Sequence, residues 1–505
     1  MPWYNPLSWN KSETETAPKT RLPRRNYQSA QAGRLLADFA GGTTSADREI
    51  RTALKTLRNR SRQLCRNNPY AARALQIYRT QVCGEKGLSL QVRARNVPTG
   101  NENQGTLDQV GNAAIESEWK DWTRRGICEV TGKHSWIDCQ KLVVDSLIRD
   151  GEILIHFIRS KGANKFGFQL QFLEADFLDE EYNKDLPNGS RIVMGVEISK
   201  EGRPLAYHIY PGSKHPYDEG QYGQAVRTRI PADDILHLYH PERAQQTRGV
   251  PVFSNVAARM HMLDAYEESE VVASRLAASK SLFLESADGE GMDGDAYEDE
   301  FAPMLDTEPG SITTLPPGVK LAPWNPDHPN SAFADFHKNV LRSIASGLGV
   351  SYVSLSNNLE GVSYSSIRQG TIEERDNMKM QQRFLIEHFA EPVFREWLRV
   401  AVLNRAIPLL QNVSDPMTRI EKFTRGAHFT GRGFEWVDPQ KEVNAAVQAL
   451  NNGFLSYTDI QQRYGRDPEE VFAQLQADKL MAERFGIKLA LEPLGAKSPA
   501  FPEID

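Results

Sequence analysis

Two helical runs joined by a serine-rich segment with almost no charge constrain this fold more than any other feature. The second run opens at Ile367 and continues to roughly Asn404, with Pro392 as its internal breaker, so it could reach roughly 60 Å. Between Ser343 and Ile367 the chain has no Lys or Arg and one acid, Glu360, although 25% of all residues are charged. The first run places apolar residues at helical spacing: Phe333, Phe336, Val340, Leu341, Ile344 and Leu348. A segment this neutral and polar is predicted to lie against another molecule or surface.

Length and composition indicate a folded chain of several parts. With 505 residues and 40% hydrophobic content it can bury a large core, in two to four domains or in one elongated subunit. It has no run of eighteen apolar residues, and its N-terminus lacks the basic start and apolar block of a secretory signal. The four cysteines show neither CxxC nor zinc-type spacing, which predicts reduced, buried thiols in an intracellular setting: Cys65, Cys83, Cys128 and Cys139.

The net charge of -6 is unevenly distributed. Residues 19–95 carry 17 Lys or Arg against four acids, whereas residues 286–319 carry nine acids and no base. The basic region is suited to a polyanion or to acidic neighbours, and the acidic segment to a basic partner. A solvated surface is the alternative for both.

The N-terminal half is predicted to begin with a flexible arm, residues 1 to about 45, followed by helices and then a β-rich part. Asn68 is a candidate N-cap with Pro69 at the first helical position, in a helix that ends near Val82. Residues 88–95 alternate as a strand, and residues 113–122 and 135–149 have helical patterns. Strands are predicted within residues 151–240, at 152–159, 168–175, 191–199 and 204–211, with an antiparallel turn at 200–202 and one further short strand near 235–240.

The C-terminal half alternates long helices with an acidic excursion. Residues 252 to about 280 lack Pro and Gly and are predicted to be helical, whereas residues 281–330 are rich in both. Three short strands are predicted in that excursion, at 282–285, 311–315 and 319–321, in a small sheet that needs neighbouring subunits. Residues 420–423 and 428–434 are predicted to return to the β-rich body. Residues 439–485 are predicted as two or three helices, with an N-cap signal at 456–459, before a terminal tail.

Signatures of catalysis are mostly absent from the sequence. There is no GxxxxGK[ST], HExxH or GxSxG motif. The nearest approach to a metal site is Asp233 and Asp234 with His237 and His240, but strand spacing would point the histidines to opposite faces. The acid pairs Glu174 with Asp176 and Asp179 with Glu180 are interpreted as surface charge rather than as general acid and base. No metal or cofactor is predicted.

Three segments carry a resemblance to a known family. They are LHLYHPERAQQTRGVPVF, LAPWNPDHPNSAFADFHKNVLRSIASGLGVSYVSLSNNLEGVSYSSIRQG and RGFEWVDPQKEVNA, and together they resemble the lambda-type portal proteins of tailed bacteriophages over roughly residues 30–490. The resemblance implies an α+β fold, an elongated subunit with a β-rich wing, two stem helices flanking a small clip, a long wing helix and a helical crown. Its implied divisions are an arm (1–46), wing (47–250), first stem helix (251–280), clip (281–330), second stem helix (331–347), tunnel loop (348–362), long helix and return to the wing (363–436), crown (437–490) and tail (491–505).

The same resemblance implies the biological role. Members form a ring, commonly of twelve subunits, at one capsid vertex, through which double-stranded DNA enters and leaves. The clip would meet the terminase, whose ATPase supplies the force, and later a head-completion or connector protein, while the wing would touch the major capsid protein. The protein would then reside in the virion, and in the host cytoplasm during assembly, and would not be an enzyme.

Electrostatics gives the neutral segment a purpose within that role. Each Lys or Arg that neutralises a phosphate adds salt-dependent affinity, so a surface along which DNA slides should be poor in cations. The candidate DNA-channel residues are Tyr352, Ser354, Ser356, Asn357, Asn358, Leu359 and Glu360. Packing of Tyr352, Leu355 and Leu359 onto adjacent helices is the alternative.

Three groups of charged residues elsewhere have more than one interpretation. The stem acids Glu267, Glu268 and Glu270 are candidates to line the channel or to pair with bases of a neighbouring subunit. Clip acids are predicted to dock a partner, with plain solvation as the alternative: Asp288, Glu290, Asp293, Asp295, Glu298, Asp299 and Glu300. A set of arginines would face packaged DNA, capsid acids or solvent: Arg58, Arg60, Arg62 and Arg66.

Two other functions remain as alternatives. One is a phage DNA-processing enzyme, a metal-dependent nuclease or hydrolase that uses Asp233, Asp234 or His237. The other is a minor capsid protein without a channel.

Overall fold

The structure is a computed structural model. It describes residues 43–96, 106–211, 215–217, 226–278, 283–286, 319–322, 333–361, 363–407, 416–434, 439–464, 466 and 468–486. Most of the predicted N-terminal arm, all seven clip acids and the predicted tail lie outside the described residues. The chain divides into two units, Met1–Ser45 and Ala46–Asp505, and all elements below belong to the second.

Helices dominate the described part of the chain. The first eight are α1 (Ala46–Asn67), α2 (Pro69–Val82), α3 (Gln109–Trp122), α4 (Trp136–Arg149), α5 (Ala257–Ala278), α6 (Phe333–Gly347), α7 (Tyr352–Ser356) and α8 (Tyr364–Leu385). A π-helical turn, Ile386–Ala390, joins α8 to α9 (Glu391–Leu403). The others are α10 (Pro416–Arg425), α11 (Pro439–Asn451), α12 (Tyr457–Arg463) and α13 (Pro468–Phe485). No helix among the described residues is both long and apolar enough to cross a membrane.

Strands form small antiparallel sheets. They are β1 (Ser89–Val92), β2 (Glu152–Arg159), β3 (Phe168–Leu173), β4 (Lys184–Asp185), β5 (Arg191–Val193), β6 (Val196–Ile198), β7 (Pro204–Ile209), β8 (Thr228–Pro231), β9 (Ile235–Tyr239), β10 (Phe283–Ser286), β11 (Val319–Ala322) and β12 (Ala427–Thr430). The sheet orders are β4-β5-β6-β7-β8, β3-β2-β9, β1-β12 and β10-β11. This mixture confirms the predicted α+β class.

Local signals in the sequence predicted several boundaries correctly. The Asn68 side chain accepts hydrogen bonds from the backbone N–H groups of Tyr70 and Ala71, and Pro69 opens α2. Ser456 and Asp459 form a reciprocal capping box that starts α12. β6 and β7 pair antiparallel around the turn at 200–202, as predicted. These features depend on residues close together in the chain, so the sequence alone contains their determinants.

Two strand predictions need correction, and two in the acidic excursion are confirmed. Residues 191–199 form two strands rather than one, because Met194 and Gly195 adopt positive φ angles of 47° and 84° and turn the chain. Residues 420–423 lie in α10, where Ile420 and Phe423 share a buried face at helical spacing. The predicted strands at 282–285 and 319–321 are β10 and β11, which pair antiparallel, whereas 311–315 lies outside the described residues.

The main core gathers helices around a group of tryptophans. Trp119 lies 4.9 Å from Trp122 and 5.0 Å from Trp397, measured between ring centroids, so α3 and α9 meet there. A smaller core lies between β2, β3, β6, β7 and β9. All four cysteines are free thiols, with Cys65 partly buried and the other three buried.

A buried ionic cluster joins α1 to the sheets and overturns two interpretations from the sequence. Arg58 is only 2% exposed, and its Nη2 donates to Glu152 Oε1 at 2.9 Å. Its Nη1 donates to Asp176 Oδ1 at 3.3 Å. Arg58 therefore faces neither DNA, capsid acids nor solvent.

Three of the four acids in the predicted pairs are buried rather than surface charge: Asp176, Asp179 and Glu180 are 3%, 0% and 3% exposed. Glu174 is exposed, as predicted. Arg62 pairs with Asp150 and Asp176 through contacts of 2.6 Å each. Burial of a carboxylate is costly unless a cation accompanies it, so these acids and arginines are one structural unit.

Candidate functional site

The connection between α6 and α8 begins with a tight helix end against the residues that precede α5. Gly349 adopts φ +64°, and the N–H of Val350 donates back to Ala345 O at 3.1 Å, which closes α6. A Cβ on Gly347 would lie 2.4 Å from Val256 Cγ1, so a glycine is needed for this close approach. The Asn255 amide donates to Gly347 O at 2.9 Å. These contacts fix where the connection leaves α6.

Side chains from α2 and α8 hold the first residues of the connection. The Tyr78 hydroxyl donates to Leu348 O at 2.7 Å, and the Asn377 amide donates to Gly349 O at 2.8 Å. The buried carboxylate of Glu374 accepts from the N–H of Ser351 at 2.8 Å and from the amide of Gln81. Because a buried carboxylate is stable only with donors, Glu374 locks α2, α8 and the connection together.

Residues 352–356 form a short helix, α7, where the sequence predicted a loop. Ser351 is its N-cap, accepting from the N–H of Ser354, and Leu355 is buried at 2% exposure. Arg73 of α2 donates to Ser354 O at 3.1 Å. Asn357 ends the helix in the left-handed conformation with φ +54°. The packing alternative for Leu355 is thus confirmed.

The predicted channel serines are already engaged within α7. The hydroxyl of Ser351 donates to that of Ser354 at 2.8 Å, and the hydroxyl of Ser356 donates to Tyr352 O at 2.8 Å. Residues 348–356 therefore form a base, by which we mean the part of the connection fixed by the rest of the fold.

Residues 357–361, here called the tip, have fewer contacts with the rest of the subunit than the base has. Leu359 is 63% exposed, which rules out the packing alternative for this residue within the subunit. Asn358 Oδ1 accepts from the N–H of Glu360 at 2.8 Å, and Glu360 is exposed. A Cβ on Gly361 would meet no atom within 4 Å. The tip thus offers one amide pair, one apolar side chain and one negative charge to whatever lies beside it.

Folding brings cations to the base that the sequence of the segment does not contain. The guanidinium of Arg342 lies 5.5 Å from the ring centroid of Tyr352, and Arg73 contacts the backbone of Ser354. Both arginines are exposed. The predicted electrostatic neutrality therefore describes the tip better than the base.

The stem acids differ from one another in environment. Glu267 accepts from the Tyr70 hydroxyl at 3.1 Å and pairs with His337 of α6, so its partners belong to its own chain. Burial beside Glu267 raises the pKa of Tyr70 to about 12. Glu268 is exposed, and Glu270 is half-buried. Glu267 therefore ties α2, α5 and α6 together, a role that neither sequence interpretation included.

The residues of the nuclease alternative do not form a common site. Asp234 pairs with Arg159, whose Nη2 also donates to the backbone oxygen of Asp233 at 3.2 Å. The side chain of His237 is only 3% exposed, and its Nε2 lies 2.9 Å from Glu152 Oε2. These side chains are committed to different partners.

One group of three potential metal ligands occurs among the described residues: Glu174, Asp176 and His215. The Nη2 of Arg62 lies 2.6 Å from Asp176 Oδ2 and 3.3 Å from Glu174 Oε2. Arg58 contacts the other oxygen of Asp176. Two guanidinium groups already neutralise these carboxylates, which opposes a metal cation there.

Comparison with known proteins gives consistent relatives. A family model described as "Phage portal protein, lambda family" matches residues 32–382. The "Probable portal protein" of Halomonas phage phiHAP-1 is 34% identical over 471 residues, covering 92% of this chain and 88% of the relative. "Portal protein B" of Escherichia phage lambda is 25% identical over 484 residues, covering 90% of this chain and 86% of the relative.

Among solved structures, a chain of the "Neck of native GTA particle computed with C12 symmetry" aligns with a TM-score of 0.42 and 14% sequence identity. The alignment covers 86% of this chain and 99% of that chain.

Proposed function

The chain belongs to the lambda family of phage portal proteins, and we propose that its copies close into a ring around a channel for double-stranded DNA at one capsid vertex. Twelve copies are the expected number. DNA is packaged and later ejected through this channel, and the ring is part of the virion. Within the subunit, α5 and α6 act as the stem helices, residues 348–362 as the tunnel loop, and α11 to α13 as the crown.

The fixed base and exposed tip of the α6–α8 connection carry this proposal. A channel constriction has to present side chains to the DNA from a rigid part of the subunit. Glu374, Tyr78 and Asn377 hold residues 348–351, while Leu359 and Glu360 are exposed. The tip has a carboxylate and no cation of its own, so it repels phosphate instead of retaining it.

Exposed apolar side chains support assembly with further copies. The helical region 439–486 has several large apolar residues that are between 38% and 81% exposed: Phe454, Tyr457, Phe472, Leu475, Leu480, Met481 and Phe485. Apolar surface on this scale is unusual on a monomer and indicates an interface. In a closed ring each copy supplies the same patch to its neighbours.

The proposed partners follow from the portal role. The clip binds the terminase during packaging and a head-completion or connector protein afterwards, and the wing contacts the major capsid protein. Assembly takes place in the host cytoplasm. The ring itself is not a catalyst, and the terminase supplies the force. The separate engagement of Asp234 with Arg159 and of His237 with Glu152 gives no support to the nuclease alternative.

Electron microscopy of the purified full-length protein tests the ring directly. Class averages should show closed rings with a central hole wide enough for a DNA duplex. A variant with Phe472→Asp and Leu480→Asp should shift the population toward monomers, whereas Gln474→Asp and Lys479→Asp on the same helix should not. Monomers at every concentration and salt condition, or rings without a hole, would contradict the proposal.

A further inference from the structure

A cationic cleft lies where α2, β12 and α12 meet, away from the α6–α8 connection. It has two adjoining parts, of about 440 and 1190 Å³, which share Phe434, Ile460 and Tyr464. The larger part is bounded by the loop 84–87 after α2, by residues 431–434 after β12, and by α12. Five cations and one acid, Glu85, line this larger part: Arg79, Lys86, Lys141, Arg432 and Arg466.

The walls of the cleft are fixed by buried amides. The Gln382 amide donates to Gln81 O at 3.1 Å, to Val82 O at 3.2 Å and to Arg432 O at 3.1 Å, so it ties the end of α2 to residues 431–434. The Gln140 side-chain oxygen accepts from the N–H of Leu88 at 2.7 Å. The cleft is thus preorganised rather than a gap between loose loops.

Glycine allows the two loops to approach. Gly84 has φ +64°, and a Cβ there would lie 2.7 Å from Arg432 Cδ. Arg432 also donates through Nη1 to Thr80 O at 2.6 Å. This contact places the guanidinium at the wall of the cleft.

The positive charge of the cleft is only partly compensated. Arg79 is paired with Asp145. Within the part of the chain that the structure describes, Lys86, Lys141 and Arg466 form no ion pair. Such a concave, positive surface attracts carboxylates or phosphates.

Apolar side chains in the same cleft decide between those two chemistries. Phe434, Ile460 and Tyr464 line it beside the cations, and Arg432 lies 5.9 Å from the Phe434 ring centroid. A peptide with carboxylates and one large apolar side chain would use both kinds of surface. A DNA duplex would use the cations alone.

The end of this chain has that chemistry and is within reach. Residues 499–505, PAFPEID, carry two carboxylates, no cation, and the apolar side chains of Phe501 and Ile504. Arg466 of the cleft precedes α13 by two residues, and α13 is about 27 Å long by its 18 residues. Residues 487–500, if extended, span up to about 45 Å, which exceeds the return distance.

We propose that the cleft binds residues 499–505 of the same subunit, with Glu503 and Asp505 facing Lys86, Lys141, Arg432 and Arg466, and Phe501 facing Phe434 and Tyr464. The bound segment would fasten α12 and α13 to α2 and β12. This proposal does not depend on the channel.

Photocross-linking of the full-length protein tests it. A benzophenone amino acid replaces Phe501, and mass spectrometry locates the cross-linked peptides after illumination. Cross-links should fall within residues 79–89, 431–434 or 460–466 of the same chain. Glu503→Gln with Asp505→Asn should lower their yield roughly fivefold, since two exposed ion pairs are lost. Lys488→Gln with Lys497→Gln, which alters the residues leading to this segment without touching Glu503 or Asp505, should not lower it.

Charge reversal in the cleft gives the reciprocal test. Lys86→Glu with Lys141→Glu should lower the cross-linking yield by a similar factor. If that variant does not fold, the substitutions at Glu503 and Asp505 still test the proposal. The proposal would be overturned by cross-links elsewhere in the chain or between two chains. It would also be overturned if none of these charge substitutions changed the cross-linking yield. Binding of a labelled DNA duplex that is lost on the same charge reversal, without cleft cross-links, would assign the cleft to DNA instead.

Discussion

The Nε of Arg248 lies 2.9 Å from each carboxylate oxygen of Glu152, and neither residue is more than 1% exposed. The same carboxylate accepts from Arg58 at 2.9 Å and from the N–H of Gly249 at 3.0 Å. Arg248 further donates to the backbone oxygen of Met194 at 2.8 Å. Glu152 thus joins α1, β2 and the segment that leads into α5.

Removing the charge of Glu152 is expected to destabilise the fold strongly. Glu152→Gln leaves the buried guanidinium of Arg248 without its anion and removes one of the carboxylates that Arg58 contacts. Breaking a buried pair in this way costs about 3–5 kcal/mol. Urea denaturation with tertiary fluorescence measures this loss in the free energy of unfolding. The matched control is Glu49→Gln, whose carboxylate lies 3.4 Å from Arg243 at an exposed site, where a loss of about 1 kcal/mol or less is expected. Equal losses for the two variants would contradict the role given to Glu152.

The same cluster predicts a stability that falls in acid. Burial lowers the pKa of His237 from its usual 6.5, so the unfolded chain takes up this proton first as the pH falls through about 6.5. Burial alone would raise the pKa of Glu152, but Arg248 and His237 outweigh it and hold that pKa well below 4.5. The unfolded chain is therefore again protonated first, as the pH falls through about 4.5. Both groups stabilise the fold above these values and lose that contribution below them.

Urea denaturation at several pH values between 7 and 4 checks this sign. The free energy of unfolding should decline from pH 7 to pH 5, and more steeply below 4.5. His237→Gln should flatten the decline between pH 7 and pH 5. His428→Gln, at an exposed position, should not. A stability that rises as the pH falls from 7 to 5 would show that the sign is wrong.

What the sequence predicted well depends on neighbours along the chain. The N-cap at Asn68, the capping box at Ser456 and the continuous helical run after residue 363 follow from local spacing and turn chemistry. The α+β class and the family also followed from the sequence. A short helix within the neutral segment was missed, although Ser351 as N-cap, with Tyr352 and Leu355 three apart, contained a weak signal.

What the sequence could not predict depends on partners far apart in the chain. Arg58 and Glu152 are 94 residues apart, and Gln81 and Glu374 are 293 apart. No local pattern distinguishes a buried arginine from a solvated one on a helix with many charges. For the same reason, the arginines that flank the base of the neutral segment, Arg73 and Arg342, became evident only from the fold.

Loss of the Glu374 carboxylate is expected to release the base of the α6–α8 connection. Glu374→Ala removes the acceptor for the N–H of Ser351 and for the Gln81 amide, so both partly buried donors lose this partner. Hydrogen exchange of residues 348–357, followed by mass spectrometry, should become faster by about tenfold for a loss near 1.4 kcal/mol.

Glu373 provides the control beside it in sequence. Glu373→Ala alters an exposed side chain that accepts from the Gln369 amide at 2.7 Å on the same helix. Hydrogen exchange at residues 348–357 should remain unchanged in the Glu373→Ala variant. Faster exchange in both variants would mean that α8 as a whole had loosened, and no change in either would mean that Glu374 does not hold the base.

A cation at the tip is expected to hinder DNA passage without preventing assembly. Asn358→Lys puts one added positive charge from every copy beside the passing duplex, and each contact with a phosphate adds salt-dependent affinity. Packaged DNA protected from nuclease should fall several-fold at low salt and recover as the salt concentration rises. Asn358→Asp is the matched control, because it keeps an acceptor for the N–H of Glu360 and adds a negative charge where the Lys variant adds a positive one. This variant should package DNA normally. Ser354→Lys, in the base beside Arg73, should have the smaller effect because that position is not part of the exposed tip. Equal hindrance by the Lys and Asp variants would point to shape rather than charge, and normal packaging by Asn358→Lys at every salt concentration would mean that the tip does not approach DNA.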